Sequence, residues 1–464
     1  MNADAPAYDM AIIGAGVVGC AIFREFCLAG LRVALVERGA DILSGASKAN
    51  SALLHTGFDA IPGSLEAACM REGHARYQAL HQGLGLPLLR TGAIVVAWSP
   101  ADLAALPGIV ARAHDNGVLD VRQISAEDVQ AREPHLADDL LGGVLVPGEA
   151  VIDAWSAPLA YARQGLAMGG TFLPNTRVTG GSQAEAGWTL QTSQGPLSAS
   201  VVVNCAGNQG DIVEAIARPS PFEIRPRKGQ FVVLDKTAYP LASAIILPVP
   251  NERTKGVVIC RTAYGNLLVG PTAEEQQDRE NATVDQAMLE GLLAQGRRMI
   301  SALAAEPVTT TYAGLRPATQ FKDYQIEALP QRRWITVGGI RSTGLTGSLG
   351  IAAHLHRLYA QHFGPLPIPA DPVLTPVPNL TEEHPRPWQR PGRDEIVCHC
   401  EMVTRGEIAA ALQGPLPAGD LGGLKRRTRC MMGRCQGFYC TRRVMEIAAP
   451  HVPGLVTPIQ GSSA

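Results

Sequence analysis

The chain has 464 residues, of which 46% are hydrophobic and 18% charged, with a formal net charge of −2. That balance suits a packed protein of more than one domain and gives no support to nucleic-acid binding, which calls for a basic excess or stripe. No apolar run is long enough to span a bilayer, and the opening residues lack a basic stretch followed by an apolar one, so no secretory signal is read and a cytoplasmic location is expected.

In chain order, residues 8–13 predict a short apolar strand, 17–29 a helix and 32–36 a second strand. Residues 65–84 have helical spacing, and strands are expected at 93–98 and 143–146. Further strands are expected at 201–204, 230–234, 256–259 and 266–269, with a helix over 284–303. The body closes on a strand at 334–337, a glycine-rich loop over 338–350 and a helix over 351–361. Strands and helices alternate near the ends of this body and strands dominate its middle. That predicts an α/β nucleotide-binding domain of Rossmann type interleaved with a mixed-sheet α+β substrate domain. Residues 364–392 are proline-rich. Proline fixes φ and removes a backbone donor, so an extended, semi-rigid linker is expected there.

Gly14-Ala15-Gly16-Val17-Val18-Gly19 joins the first strand to the first helix. The glycines allow a tight turn, close approach of a pyrophosphate and close helix–strand packing, while the helix N-terminus offers N–H groups to the phosphates. Glu37 ends the second strand, where a carboxylate can hold a ribose diol. The triplet alone does not choose between NAD and FAD. Two later features favour FAD: the apolar run Val201-Val202-Val203-Asn204-Cys205-Ala206-Gly207, and the loop from Gly338 to Gly347, whose N–H groups could meet a flavin edge. No second triplet marks a separate NAD site.

Ten cysteines are present. Cys20, Cys27, Cys69, Cys205 and Cys260 are scattered and read as small buried hydrophobes. Cys398, Cys400, Cys430, Cys435 and Cys440 crowd the C-terminal part, which in a cytosolic protein favours metal or redox chemistry over structural disulfides. Four thiolates hold a 2Fe–2S cluster, and spacing alone does not say which of the last three cysteines is left over. The tight C-x-C pair at 398 and 400 disfavours structural zinc, which prefers wider pairs. His399 is not expected to be a ligand. Lys425, Arg426, Arg427, Arg429, Arg434, Arg442 and Arg443 surround these thiols. They would raise a cluster's potential, dock an acidic electron-transfer partner, or form a solvated basic face.

The opening fingerprint, the segment from Ser47 to Gly57, the Val202–Gly207 turn, Gly314-Leu315-Arg316-Pro317 and the terminal Gly-Leu-Thr-Gly loop together resemble the D-amino-acid-oxidase superfamily of flavoproteins. Within it the chain resembles the branch of anaerobic glycerol-3-phosphate dehydrogenases and L-2-hydroxyglutarate dehydrogenases; the run from Gly265 to Glu274 is especially like the former. The resemblance covers nearly the whole chain. It implies FAD held by Gly14, Gly16, Gly19, Glu37, Arg38, Ser47, Asn50, Ser51, Val178, Ala206, Gly207, Gly314, Gly344, Leu345 and Thr346. It implies a discontinuous FAD-binding domain (1–75, 150–220, 310–363), a substrate domain (76–149, 221–309), the linker (364–393) and a small helical iron–sulfur module (394–450). That module resembles bacterioferritin-associated-ferredoxin-like domains, whose ligand positions match Cys398, Cys400, Cys435 and Cys440, with Cys430 at a position that is commonly apolar.

Such a flavoenzyme takes a hydride from a carbon bearing OH or NH and needs a base and an anion clamp. The resemblance places His55 over the flavin ring, as base or as a packing residue. Arg316 is the clamp candidate, with an internal ion pair as its alternative. Lys48, Arg261 and Tyr264 are further substrate-binding candidates. One departure matters: the resemblance expects an arginine before Asn50, where this chain has Ala49 beside Lys48. That weakens the case for a phosphorylated substrate. The expected function is therefore an FAD-dependent dehydrogenase acting on a glycerol-3-phosphate-like substrate or a 2-hydroxy acid. Its electrons would pass through 2Fe–2S to a partner subunit or carrier, at a membrane only through that partner. The alternatives are an amine or imino-acid dehydrogenase, an oxidase with a zinc docking module, and a flavoprotein scaffold without catalysis.

Overall fold

The computed structural model describes residues 7–250, 256–367 and 371–455. The expectation of no leader at the N-terminus rests largely on residues 1–6, which lie outside the described residues.

The first half of the architecture is an eight-stranded sheet. Its parallel core runs, in spatial order, Trp334–Gly338, Gly195–Asn204, Tyr8–Ile13, Val33–Val36 and Thr171–Leu173. Gln325–Leu329 closes one edge antiparallel to Trp334–Gly338. The hairpin of Val178–Ala184 and Gly187–Thr192 branches antiparallel from Gly195–Asn204. Tyr8–Ile13 and Val33–Val36 read as near-continuous apolar runs because both faces are covered, as parallel sheets require. Helices Val17–Leu28, Ser156–Ala167 and Gly344–His362 pack together on this sheet, with Leu65–Leu80 laid across the last of them. Phe23, Phe26, Leu35, Tyr161 and Ile351 fill the layer between.

The second sheet has nine strands. It is antiparallel apart from the pair Ile245–Pro248 and Ala93–Ala97. The strand Val308–Arg316 pairs along its length with Arg227–Leu234 in this sheet. The sequence expectation puts residues 310–316 at the start of the last nucleotide-binding segment. They pair with residues in 227–234, and Gly314 near their far end lies against Ala49.

Two elements differ from expectation. The glycine-rich stretch after residue 343 is not a loop but the first turns of the helix Gly344–His362. A side chain at Gly350 would lie 2.0 Å from the Cys69 carbonyl of the crossing helix, so close packing overrides glycine's poor helix propensity. The strand expected at 256–259 is Val258–Arg261, shifted because Gly256 turns the chain with φ +82°.

The described part of the proline-rich segment is extended, with one short helical turn at Pro387–Gln389. It is strapped to the body: Val377 donates to the Leu84 carbonyl (3.0 Å), Gln164 donates to the Val373 carbonyl (2.9 Å), and Val377 and Leu380 are buried. The strap leads to a small module with its own core of Val397, Val403, Ile408, Leu424 and Val444. A two-stranded ribbon, Ile396–Cys398 with Val403–Thr404, opens it, and helices Arg405–Ala411, Leu421–Thr428 and Thr441–Ala448 follow. Thr404 and Glu407 form a reciprocal capping box at the first of these helices.

Candidate active site and cysteine centre

Gly14 turns with φ +107°, and a side chain there would lie 2.5 Å from the Cys205 carbonyl. One at Gly19 would lie 1.9 Å from the Gly14 carbonyl. The loop therefore has the shape of a dinucleotide cradle. Glu37 accepts hydrogen bonds from the N–H of Ala15 (2.9 Å) and of Gly39 (2.8 Å), which fixes its carboxylate at the rim. The helix Val17–Leu28 has no side-chain cap from Gly16; Ser47 Oγ instead accepts from Val17 N–H at 3.0 Å. The helix Gly344–His362 starts without a side-chain cap, and Gly344 abuts Val17 and Val18. Two helix N-termini thus converge on one cradle, and together with Glu37 they fit an anionic dinucleotide.

The other candidates for this cofactor sit round the same seam. Asn50 accepts the Ala52 N–H through its side chain (2.6 Å) and the Tyr312 hydroxyl through its carbonyl (2.6 Å). Gly314 lies against Ala49: a side chain at Gly314 would stand 2.6 Å from the Ala49 methyl. Ala206 and Gly207 form the turn beside Gly14, with Gly207 at φ +54°. Leu345 and Thr346 are buried in the first turn of the last long helix. Ser51 is half-buried in the same segment as Asn50. Val178 begins the branching hairpin and packs against its core. Arg38 is turned to Glu280, at 2.5 Å.

His55 lies one residue after the short strand Leu53–Leu54. Its backbone N–H donates to Thr346 Oγ1 (3.0 Å), tying it to the helix whose N-terminus faces the cradle. Its Nδ1 is 2.7 Å from Glu149 Oε2, and the Glu149 side chain is fully buried. The other carboxylate oxygen accepts from the Thr56 N–H (2.6 Å) and hydroxyl (2.9 Å). A buried carboxylate satisfied in this way orients the imidazole, and with the proton on Nδ1 the ring's basic nitrogen is Nε2. The sequence carries no local signal for Glu149. It stands 94 residues from His55, and only the pairing of Leu53–Leu54 with Ala150–Val151 brings the two together.

Arg316 ends the strand Val308–Arg316 and lies on the same face as Tyr312 and Gly314, by the two-residue alternation of strands. Its guanidinium covers Gly229 and donates only to backbone carbonyls, of Lys228 (3.4 Å) and Thr272 (3.3 and 3.4 Å). Among the described residues no carboxylate pairs with it. Burial, helped by the Arg227 charge, pulls it down to about 10. An anion would offset that desolvation.

The remaining substrate candidates diverge. Lys48 closes the turn Ala46–Lys48, and its carbonyl accepts the Trp155 indole N–H at 3.0 Å. Arg261 is held on the ring of Tyr239 (4.2 Å) and donates to that residue's carbonyl. Tyr264 is buried, stacked on Trp155, and covered by the Arg429 guanidinium at 3.8 Å. It therefore belongs to the seam between body and module.

In the module, the Cys400 thiol hydrogen-bonds to Cys435 and the Cys440 thiol to Cys398. These contacts join the four sulfurs two by two. Two pairs are what two irons, each held by two thiolates, require. Burial raises the Cys435 thiol, but the Tyr439 N–H, the Cys400 thiol and the N–H groups of Gly437 and Phe438 more than offset it, and the net shift is downward. Cys430 is fully buried near Cys398 and Cys440 but outside both pairs, and burial pushes it up to about 11. Most of the basic residues around the thiols are engaged within the chain. Arg427 binds Asp41, Arg429 binds Glu401, Arg434 binds Asp235 and Arg443 binds Glu395.

Residues 9–358 match the model of the FAD dependent oxidoreductase family, and residues 396–449 match the BFD-like [2Fe-2S] binding domain. The chain belongs to the FAD dependent oxidoreductase family and carries a 2Fe–2S-binding domain at its C-terminal end. It is 31% identical to a glycerol 3-phosphate dehydrogenase of Caloramator mitchellensis, over 98% of this chain and 96% of that one. It is 27% identical to a mitochondrial L-2-hydroxyglutarate dehydrogenase of Caenorhabditis elegans, over 70% of this chain and 78% of that one. Among solved structures, FAD-bound L-alpha-glycerophosphate oxidase of Mycoplasma pneumoniae superposes with a TM-score of 0.72 at 26% identity, over 78% of this chain and 97% of that one. No described helix is long and apolar enough to cross a membrane.

Proposed function

We propose that this chain is a dehydrogenase of a small hydroxylated substrate bearing an anionic group, a glycerol-3-phosphate-like molecule or a 2-hydroxy acid. The observation that carries this reading is the His55–Glu149 pair, a base oriented by a buried carboxylate and tied through Thr346 to the helix that faces the cradle. FAD, when bound, supplies the hydride acceptor. Gly14, Gly16 and Gly19 with the two helix N-termini would hold its diphosphate, and Glu37 its ribose. His55 Nε2 takes the hydroxyl proton as the adjacent C–H bond is broken, and Glu149 stabilises the imidazolium. Arg316 binds the anionic end and so orients that bond. Ala49 stands where the resemblance to glycerol-3-phosphate dehydrogenases expects an arginine, and the missing guanidinium favours a carboxylate over a phosphate.

Cys398, Cys400, Cys435 and Cys440 would hold the cluster. The loop between its last two ligands exposes Phe438 (83%) and Tyr439 (79%) in edge-to-face contact at 5.1 Å. Exposed aromatic pairs mark protein contacts, and this one lies on the loop whose N–H groups bond Cys435. We place the electron-accepting partner or carrier there.

The test is anaerobic reduction of the purified holoprotein by glycerol 3-phosphate, 2-hydroxy acids, polyols and amines, read by flavin bleaching. Bleaching by one anionic alcohol supports the reading; bleaching only by amines moves the chain to C–N oxidation.

A further inference from the structure

Between the cradle and the cysteine centre the structure contains one continuous aromatic contact. Lys48 lies between Ser47, which caps the first helix's N–H, and Ala49, which packs on Gly314. The Lys48 carbonyl holds the indole N–H of Trp155 at 3.0 Å. The Trp155 and Tyr264 rings stack with centroids 5.7 Å apart and planes 17° from parallel. The Arg429 guanidinium covers Tyr264 at 3.8 Å, and its Nε donates to Glu401 at 2.9 Å. Arg429 precedes Cys430 and Glu401 follows Cys400, so the column ends on the thiols' own neighbours. The Asp153 carboxylate fixes its foot by accepting from the Trp155 N–H at 2.8 Å.

We infer that Trp155 and Tyr264 form the route by which electrons cross from flavin to cluster. This rests on the proposed relay. In each crossing the reduced flavin loses one electron and the oxidised cluster gains it. Two crossings return the flavin to its oxidised form, its protons pass to solvent, and each electron leaves the cluster for the external acceptor. Electron tunnelling falls steeply with distance through empty space and less steeply through atoms in contact. A stacked aromatic pair closed by a guanidinium keeps such contact across the seam. Two large aromatic side chains and a buried arginine at this one point are more than docking needs, since Arg427 and Arg434 already pin the module by ion pairs.

The test uses the full-length holoprotein with the flavin reduced photochemically, so that it does not depend on knowing the substrate. Cluster reduction is followed by rapid-freeze electron paramagnetic resonance, and the cluster's spectrum and midpoint potential are measured separately. Trp155→Leu and Tyr264→Leu should each slow cluster reduction about tenfold, with spectrum and potential unchanged. Tyr264→Phe, which keeps the ring, should stay within about twofold of the parent. If Tyr264→Leu fails to fold, half-buried Trp155→Leu decides the matter. Unchanged rates in the leucine variants would overturn the inference, as would a Tyr264→Phe variant as slow as the leucine one. A parent protein whose cluster is never reduced by its flavin would instead overturn the relay on which the inference rests.

Discussion

Asp41 and Arg427, 386 residues apart, form two charge-assisted hydrogen bonds of 2.5 and 2.7 Å, with 0% and 6% of their side chains exposed. Asp41 also accepts the Gly419 N–H at 3.2 Å. The approach is so close that a side chain at Gly419 would lie 1.8 Å from the Ala40 carbonyl, and one at Gly423 would lie 1.7 Å from the Asp41 carboxylate. Two residues on from Asp41, the Leu43 N–H bonds the Ala15 carbonyl of the nucleotide loop (2.9 Å). The module is thereby keyed to the cofactor cradle itself.

Removing one partner of a buried pair strands the other. Asp41→Ala should therefore lower stability by about 3–5 kcal/mol. Hydrogen exchange should show faster exchange in the helix Leu421–Thr428 than in the sheet core.

The dyad makes a kinetic prediction. His55→Gln should slow flavin reduction by about 10²–10⁴-fold, the range for a general base. Glu149→Gln, which keeps the shape but not the charge, should lower the same rate while leaving the substrate dissociation constant nearly unchanged. Single-turnover reduction at varied substrate concentration separates the two quantities.

Arg316→Lys keeps the charge and loses the planar fork. If Arg316 clamps the substrate's anion, the dissociation constant should rise about 10- to 100-fold, as the loss of a charge-assisted hydrogen bond implies. The same variant should bind a neutral polyol no worse than the parent does.

Serine at Cys398, Cys400, Cys435 or Cys440 should abolish the reduced-cluster resonance signal. Cys430→Ala should retain it, because Cys430 lies outside both thiol pairs. Iron content per chain provides an independent measure.

Asp211 makes a pH prediction. Burial alone would raise its carboxyl, but hydrogen bonds from Arg279 and the Ile224 N–H, with the Arg279 charge, hold it below the ordinary 3.8. A carboxyl lowered on folding contributes stability above its unfolded value and loses it as pH falls through the folded one. Asp211→Asn should therefore lower the urea midpoint at neutral pH, with the difference shrinking as the pH falls below 3.8.

What was legible in the sequence followed local rules. The cradle could be read because strand, glycine turn, helix and acidic residue lie within one short stretch, each with its own backbone requirement. The cysteine module could be read because five thiols crowd one short stretch, while the choice among them came from the resemblance to ferredoxin-like domains. Arg316 was legible through its motif but not through its surroundings. Glu149, Asp41 and the Trp155–Tyr264 stack were not legible, since each acts through a partner that only the tertiary fold supplies. The start of the helix Gly344–His362 reads as a loop because its glycines serve contact with Cys69 and Gly73, and packing outweighs propensity. The basic residues of the module read alike as cluster-tuning, partner-docking or solvated, whereas Arg427 and Arg429 turn inward to Asp41 and Glu401.

The central claim is that electrons taken from an anionic alcohol pass from FAD to a 2Fe–2S cluster on the same chain. The most direct measurement is anaerobic mixing of the holoprotein with the bleaching substrate, followed by optical and electron paramagnetic resonance spectra over time. The predicted result is flavin bleaching first and then the signal of a reduced 2Fe–2S cluster, with Trp155 setting the interval. Flavin bleaching with no cluster signal, in a protein that contains zinc and yields stoichiometric peroxide once oxygen is admitted, would contradict it.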